Sequence, residues 1–252
     1  MLLVGSALEG YAIHARDGKI GSVTDLLFDD TTWKIRWLVV DTGNWLTGRI
    51  VLIHPSAIEE ADHGRQELAV RLTKQQVKDS PDILQDRPVS QQMESDLYSY
   101  YGWDPVWGGS YFGPGAMASA PFNTDTMVRE PVGVGMRLTD GDPHLRSIRT
   151  VNGYHVHATD GDIGHVSDFL VDEHSWAIRY LIVDTTNWWA GKEVLLSPSW
   201  IERVDWHHSK VHATVTRAQI RNSPEFDPTR PVERAYEERL YGHYGQPHYW
   251  GE

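Results

Sequence analysis

The stretch "ATDGDIGHVSDFLVD", residues 158–172, decides how this chain is read. Its Asp160-Gly161-Asp162 looks like the opening of a calcium loop. Such a loop starting at Asp160 requires Gly at its sixth position and a bidentate Glu at its twelfth. Those positions hold His165 and Val171. A relative of the stretch, "ARDGKIGSVTDLLFD" at residues 15–29, places Lys19 where the later one has Asp162. An ammonium group cannot stand in for a ligand oxygen at a cation. What the two stretches share is Asp-Gly followed by Ile-Gly between apolar runs. That pattern predicts a two-residue hairpin turn with both turn residues at positive φ.

The likeness extends outward from there. Gly10–Gly109 aligns with Gly153–Glu252 without a gap, at a constant offset of 143. Roughly forty of the hundred aligned positions are identical, which makes duplication the explanation and each copy a domain with its own core. The sequence divides into a first repeat at 1–109, a linker at 110–150 and a second repeat at 151–252. The connecting stretch is rich in Gly, Pro, Ala and Ser and has no sustained apolar period, as a linker requires. Its Tyr111, Phe112, Met117 and Phe122 are candidates to pin it to a folded surface.

Within each copy the short-range signals are β. "WKIRWLVVD" and "WAIRYLIVD" are rich in β-branched and aromatic residues. In the first, Trp33, Ile35, Trp37 and Val39 share one face while Leu38 and Val40 lie on the other. An apolar second half on both faces predicts a central strand in a closed or strongly curled sheet. "RIVLI" and "EVLLS" continue as the next strand, and "QELAVRL" and "KVHATV" supply a last one. Thr73 with Gln76 and Thr216 with Gln219 then fit capping boxes at the starts of helices. Ser80-Pro81 and Ser223-Pro224 keep those helices short. "VSQQMESDLYSYYG" and "VERAYEERLYGHYG" read as second helices, and both copies finish in aromatic tails, "YYGWDPVWGG" and "HYGQPHYWGE".

Composition bounds the chemistry. Lys and Arg total 23 against 35 for Asp and Glu, a formal charge of −12, which opposes binding to phosphate backbones. With no cysteine, disulfides, thiolate metal sites and cysteine nucleophiles are excluded. No window approaches the ~18–20 apolar residues of a membrane span. The N-terminal stretch lacks a basic region and a long apolar run, so a cytoplasmic setting is expected.

The polar residues present in both copies are Asp25/Asp168, Asp29/Asp172, Asp41/Asp184, Arg36/Arg179 and Asn44/Asn187. They are the candidate ligand-binding set. Asp and Asn also bond their own backbone in turns and at strand ends, and an Arg beside them pairs with a carboxylate. His14/His157 is shared and alternates with Tyr11/Tyr154 near a strand end, where a structural role is expected. His207-His208 has no third ligand at a metal spacing, so no metal or cofactor is expected. No G-x-S-x-G, phosphate loop or dinucleotide fingerprint occurs, so no enzyme is expected. The aromatic candidates for interfaces are Trp33, Trp45, Tyr101 and Trp107 in the first copy and Trp176, Trp188, Tyr244 and Trp250 in the second.

The pattern G-Y-x-[IV]-H-A-x-D-G-x-I-G-x-V-x-D, followed by W-x-I-R-[WY]-L-[VI]-V-D-T, resembles the PRC-barrel family. The barrel motif covers about 10–61 and 153–204. The resemblance implies a mainly β fold of two small antiparallel β-barrels, each followed here by short helices and an aromatic tail. Members occur in the H subunit of the purple-bacterial photosynthetic reaction centre and in a ribosome-maturation factor, where they dock or stabilise. This chain carries neither a membrane helix nor an RNA-associated domain, and it is closer to stand-alone bacterial members, which are largely uncharacterised and sometimes linked to stress. The resemblance brings no catalytic residues and implies an intramolecular pseudo-dimer. Two readings stand at this point, with a hydrolase using paired carboxylates a distant third for want of a nucleophile–base pair. One is a non-enzymatic module that binds a protein partner or itself. The other is a binder of a small ligand or metal ion through the shared acids and Arg36/Arg179.

Overall fold

The computed structural model describes residues 1–81, 89, 91–103, 142–186 and 191–250. Trp107, Tyr111, Phe112, Met117, Phe122, Asn187 and Trp188 lie outside the described residues. The first copy contains β1 (Leu2–Val4), β2 (Ala12–Ala15), β3 (Gly18–Asp29), β4 (Lys34–Asp41), β5 (Ile50–Ile53), β6 (Ile58–Asp62) and β7 (Glu67–Val70). Helices α1 (Lys74–Lys78) and α2 (Gln91–Tyr101) follow. The second repeats the order with β8 (Leu145–Ser147), α3 (Ile148–Val151), β9 (His155–Ala158), β10 (Gly161–Asp172), β11 (Ile178–Asp184), β12 (Glu193–Leu196), β13 (Ile201–Asp205), β14 (Lys210–Ala213), α4 (Arg217–Asn222) and α5 (Arg234–Tyr244).

The strands form two seven-stranded sheets, ordered β5-β4-β3-β2-β7-β6 and β12-β11-β10-β9-β14-β13 with one further strand on each. The expected antiparallel character is incomplete, because β2 runs parallel to β7 and β9 parallel to β14. Among the described strands no ladder joins β5 to β6, so each sheet is mixed and its hydrogen-bonded path stays open. The cause is local. A 3-10 corner at Pro55–Ala57 separates β5 from β6, and Pro198–Trp200 does the same in the second copy. Past the corner the chain hairpins through β6 into β7, which returns beside β2 in the same direction.

The Asp-Gly turns differ from expectation by one residue. Ala15 pairs with Gly18, so the two-residue loop is Arg16-Asp17, and positive φ falls on Gly18 (130°) rather than on both loop residues. Gly161 matches it with φ 140°. The displacement has a physical reason. Asp17 Oδ1 accepts the N–H of Lys74 at 2.8 Å, and Asp160 Oδ1 accepts that of Arg217 at 2.7 Å. The acid of the supposed ion loop thus satisfies a free donor at the start of α1 or α4. Both capping boxes form, Thr73 with Gln76 and Thr216 with Gln219. The glycine three residues on has a different task. A Cβ on Gly21 or Gly164 would collide with the carbonyl oxygen of Asp41 or Asp184, where the next strand crosses.

The copies are joined by exchanged strands. β3 and β10 are each 12 residues long. The first half of each pairs with its own copy's β2 or β9. The second half outruns that neighbour and takes a strand from the other copy: Leu3 of β1 lies opposite Val171, and Arg146 of β8 opposite Phe28. Residues 142–150, the end of the stretch read as linker, therefore form a turn, β8 and the start of α3 on the first copy's sheet. At the centre Lys34 bridges Ala177, with Ile35 N–H donating to Trp176 O at 2.8 Å and Ile178 N–H to Trp33 O at 2.7 Å. These contacts map onto each other at the repeat offset, so the two copies are related by an approximate two-fold axis. Phe28 and Phe169 meet across the seam at 5.8 Å, and most buried apolar side chains of both copies belong to one continuous cluster, with Trp37, Leu52, Leu97 and Tyr98 forming a smaller one beside it. The expectation of two separate cores gives way to a shared one, because the exchanged segments bring Leu8 and Ile148 into it.

Candidate functional site

The shared acids sit where strands turn, and each has backbone donors to satisfy. Asp41 Oδ1 accepts Gly43 N–H and Asp184 Oδ1 accepts Thr186 N–H, both at 2.7 Å, closing the turns after β4 and β11. Asp29 takes bonds from the backbone and hydroxyls of Thr31 and Thr32 in the β3–β4 hairpin. Burial opposes its charge, but those bonds outweigh burial and hold the carboxyl below its ordinary range. Asp172 does the same for His174 and Ser175, with Arg179 at 3.0 Å, and is lowered likewise against burial. Asn44 is exposed in a 3-10 turn, apart from the acids.

Asp25 and Asp168 lie at bulges in β3 and β10, where the register against β4 and β11 shifts. The bulge aims each carboxylate at the other copy. Asp25 accepts Ser147 Oγ at 2.5 Å and Arg149 N–H at 3.4 Å, at the start of α3. Asp168 accepts Ser6 N–H at 3.2 Å in the matching turn before β2. Burial raises Asp25 in spite of these bonds. The pair acts as reciprocal caps across the seam.

Arg36 is the charged centre of the first copy. Its buried guanidinium meets Asp29 at 3.3 Å, Glu94 at 2.7 Å and Asp142 at 2.7 Å. Glu94 Oε1 also accepts the indole N–H of Trp37 at 2.5 Å. Burial pushes Glu94 up to about 8, against the Trp37 bond and the charge of Arg36, while its bond to Asp142 pushes with burial. Asp142 is held low by its bonds to His144 N–H, Glu94 and Arg36, which overcome its own desolvation. At neutral pH, Glu94 keeps a proton that it shares with Asp142. In the second copy Glu237 takes the seat of Glu94, bonding Tyr180 Oη at 2.8 Å and Tyr249 Oη at 2.9 Å. The sequence reading missed Glu94, Glu237 and Asp142.

The aromatic tails fold back on their own copies. Trp37 packs on Tyr98 at 5.1 Å and Trp103 at 6.0 Å, with His54 beside all three. Burial, with Arg36 and Arg71 adding to it, drops His54 to about 4, so it stays neutral. Tyr101 stacks on Trp103 at 4.2 Å. In the second copy Tyr244 is buried against Trp200 at 4.5 Å, and Trp250 lies 5.2 Å from Tyr241 beneath Arg234. Trp45 lies under Lys74 at 5.2 Å. Trp33 and Trp176 occupy the seam with φ of 53° and 54°, a conformation that costs a bulky residue on the order of 1 kcal/mol and persists where surroundings fix it. His14 lies 3.6 Å from Glu67, and His157 2.7 Å from Asp162.

Clefts flank the seam. One of about 670 Å³ is lined by Leu3, Ile35, Arg36, His54, His63 and Trp176 among others. Its counterpart across the two-fold, about 360 Å³, contains Trp33, Arg146 and Trp206. The shared acids do not converge on either. No group of three or more His, Cys, Asp or Glu among the described residues is arranged to hold a metal.

Comparison with known proteins fits the repeat. The profile of the PRC-barrel domain matches twice, over residues 5–77 and 143–220. An uncharacterized protein of Deinococcus radiodurans is 35% identical over 85 residues, which cover 33% of this chain and 30% of that protein. The chain thus matches less than a third of that relative's length. No described helix is long and apolar enough to cross a membrane.

Proposed function

Because the chain belongs to the PRC-barrel domain family, with both copies matched, we propose that it is a non-enzymatic interaction module, a rigid two-fold platform that docks a protein partner or a second copy of itself. One observation carries the reading: the acids and arginines kept by both copies are engaged by turns, caps and the opposite copy. Asp25 and Asp168 reach across the seam to α3 and to Ser6. Asp29 and Arg36 are tied into the hairpin and the buried cluster. Selection that keeps such residues keeps a shape. Edge strand β6 carries exposed Glu59 and Glu60, and β13 carries Glu202 and Arg203. Charges on edge strands oppose uncontrolled strand pairing, so docking in this reading uses side-chain surface. The cysteine-free sequence fits a cytoplasmic setting, which is part of the proposal, as is a role in stress.

The test is sedimentation equilibrium over a wide concentration range, with affinity capture followed by titration of each captured protein in purified form. The expected result is saturable self-association or saturable binding of a purified partner, with hydrolase substrate panels turned over at the uncatalysed rate. A chain that stays monomeric, binds no purified candidate and turns over a panel substrate would overturn the reading.

A further inference from the structure

The two-fold supplies an internal comparison. At the smaller cleft, Trp206 packs against Tyr154 with ring centres 6.1 Å apart and planes at 57°. The guanidinium of Arg146 lies 4.3 Å from the Trp206 ring and is held by Asp30 at 2.9 Å. In the first copy His63 takes the seat of Trp206 and meets Tyr11 in the same way, at 6.1 Å and 55°. Leu3 takes the seat of Arg146, and Glu173 that of Asp30. The imidazole covers the base of the site but not the volume of an indole, and the leucine supplies no cation over the ring, Glu173 being met instead by the Met1 α-ammonium at 2.9 Å and by His63 at 3.0 Å. The larger cleft is one continuous space of about 670 Å³, whereas on the second copy Trp206 and Arg146 both line two smaller clefts, of about 360 and 420 Å³. The size of the larger cleft falls within the range of small-ligand pockets.

The walls are Leu3, Leu8, Ile35, Ile58, Leu68 and the ring of Trp176, so a flat apolar group is accommodated. The rim carries Glu59 and Glu60, while the second copy has Arg203 at the Glu60 position. Arg36 reaches the cleft with its charge countered by Asp29 and Asp142, while Glu94 accepts a hydrogen bond from it at 2.7 Å. Lys34 also lines the cleft, and Arg16 pairs with Glu59 at 3.1 Å. We infer that the cleft beside His63 binds a planar aromatic ring bearing a positive charge, the combination that Trp206 and Arg146 supply to the matching site. This inference stands apart from the docking reading and does not depend on it.

The full chain is titrated by calorimetry at neutral pH with tryptamine, with acetyl-Trp-Arg-amide and with indole-3-acetate. One saturable site is expected for tryptamine, with indole-3-acetate at least about tenfold weaker because its charge faces Glu59 and Glu60. Tighter binding of the capped dipeptide assigns the site to a partner's side chains, and tighter binding of tryptamine to a free amine. His63→Trp, which copies the second repeat, is expected to weaken tryptamine by at least about tenfold. Glu60→Arg, also a copied residue, is expected to remove the preference for the cation. Trp206→His is expected to open a second site. Absence of saturable binding by both cationic probes overturns the inference, as does a folded His63→Trp chain that binds like the parent. Should His63→Trp fail to fold, an unchanged preference in Glu60→Arg overturns it equally.

Discussion

Arg36 and Arg179 hold the same place in the repeat but differ in surroundings, and their energetics should differ accordingly. Arg36 is buried among three acidic side chains, whereas the Arg179 side chain is 27% exposed and pairs with Asp172. Removing one partner from a buried charge cluster costs ~3–5 kcal/mol, while an exposed pair contributes ~1 kcal/mol or less. Arg36→Ala should therefore lower the urea midpoint far more than Arg179→Ala, and equal losses would contradict the assigned environments. Glu94 has a pH signature. From its ordinary 4.5 up to about 8, the folded chain keeps a proton that the unfolded chain has released. This group therefore subtracts stability as pH rises through that window, by at most ~1.4 kcal/mol per pH unit, and the loss is complete above about 8. Glu94→Gln removes this dependence, so the melting temperature of the variant should gain on the parent between pH 5 and 8; a constant difference across that range would refute the protonated carboxyl. Much at this scale was legible: capping boxes and turn acids follow from side-chain chemistry within a few residues. Glu94 carried a signal that went unread. Both second helices keep Glu94/Glu237, Leu97/Leu240, Tyr98/Tyr241 and Tyr101/Tyr244, an i, i+3, i+4, i+7 stripe that begins with an acid. An acid on the stripe facing the core is a buried acid. Its partner Asp142 could not be found this way, since it comes from a distant part of the chain.

Among the elements, the long strands β3 and β10 determine the architecture, and their glycines can be tested against one elsewhere. At Gly21 a Cβ would meet the Asp41 carbonyl, an immovable backbone atom. Gly21→Ala should cost at least ~2 kcal/mol through overpacking at the crossing. Gly242 lies in α5 with nothing near its would-be Cβ. Gly242→Ala should add ~0.5–1 kcal/mol by restricting the unfolded chain. Thermal melts of the two variants should thus shift in opposite directions; a shift of the same sign in both would contradict the geometry. The strand periodicity of β4 and β11 was readable because both faces are buried. The exchanged strands were not. "LLV" and "LRS" share only their first residue, and three-residue strands carry too little pattern to stand out from loop. Their place is set by the free second half of a strand more than 100 residues away in sequence, which no local reading contains. The parallel β2–β7 pair was hidden for the same reason: the corner that reverses the chain is a Pro-Ser pair indistinguishable from an ordinary turn.

As a whole molecule, the duplication was plain in the sequence, but its consequence was not. Two copies with separate cores would unfold separately, whereas the shared core and exchanged strands make each copy's sheet incomplete without the other. Unfolding by urea should follow one transition with coincident near- and far-ultraviolet circular dichroism, and two resolved transitions would count against a shared core. The central claim is that one chain welds its two halves by trading a strand each way, which is why the retained acids serve the seam. The absence of cysteine allows a direct test. Leu3 and Val171 are opposite partners on β1 and β10, so the double variant Leu3→Cys, Val171→Cys places two thiols within bonding reach across the seam. On mild oxidation of the dilute folded chain, the account predicts a disulfide within single chains, read as a mobility shift that reductant reverses. A folded chain that keeps both thiols free, or forms the bond only between chains, would contradict it.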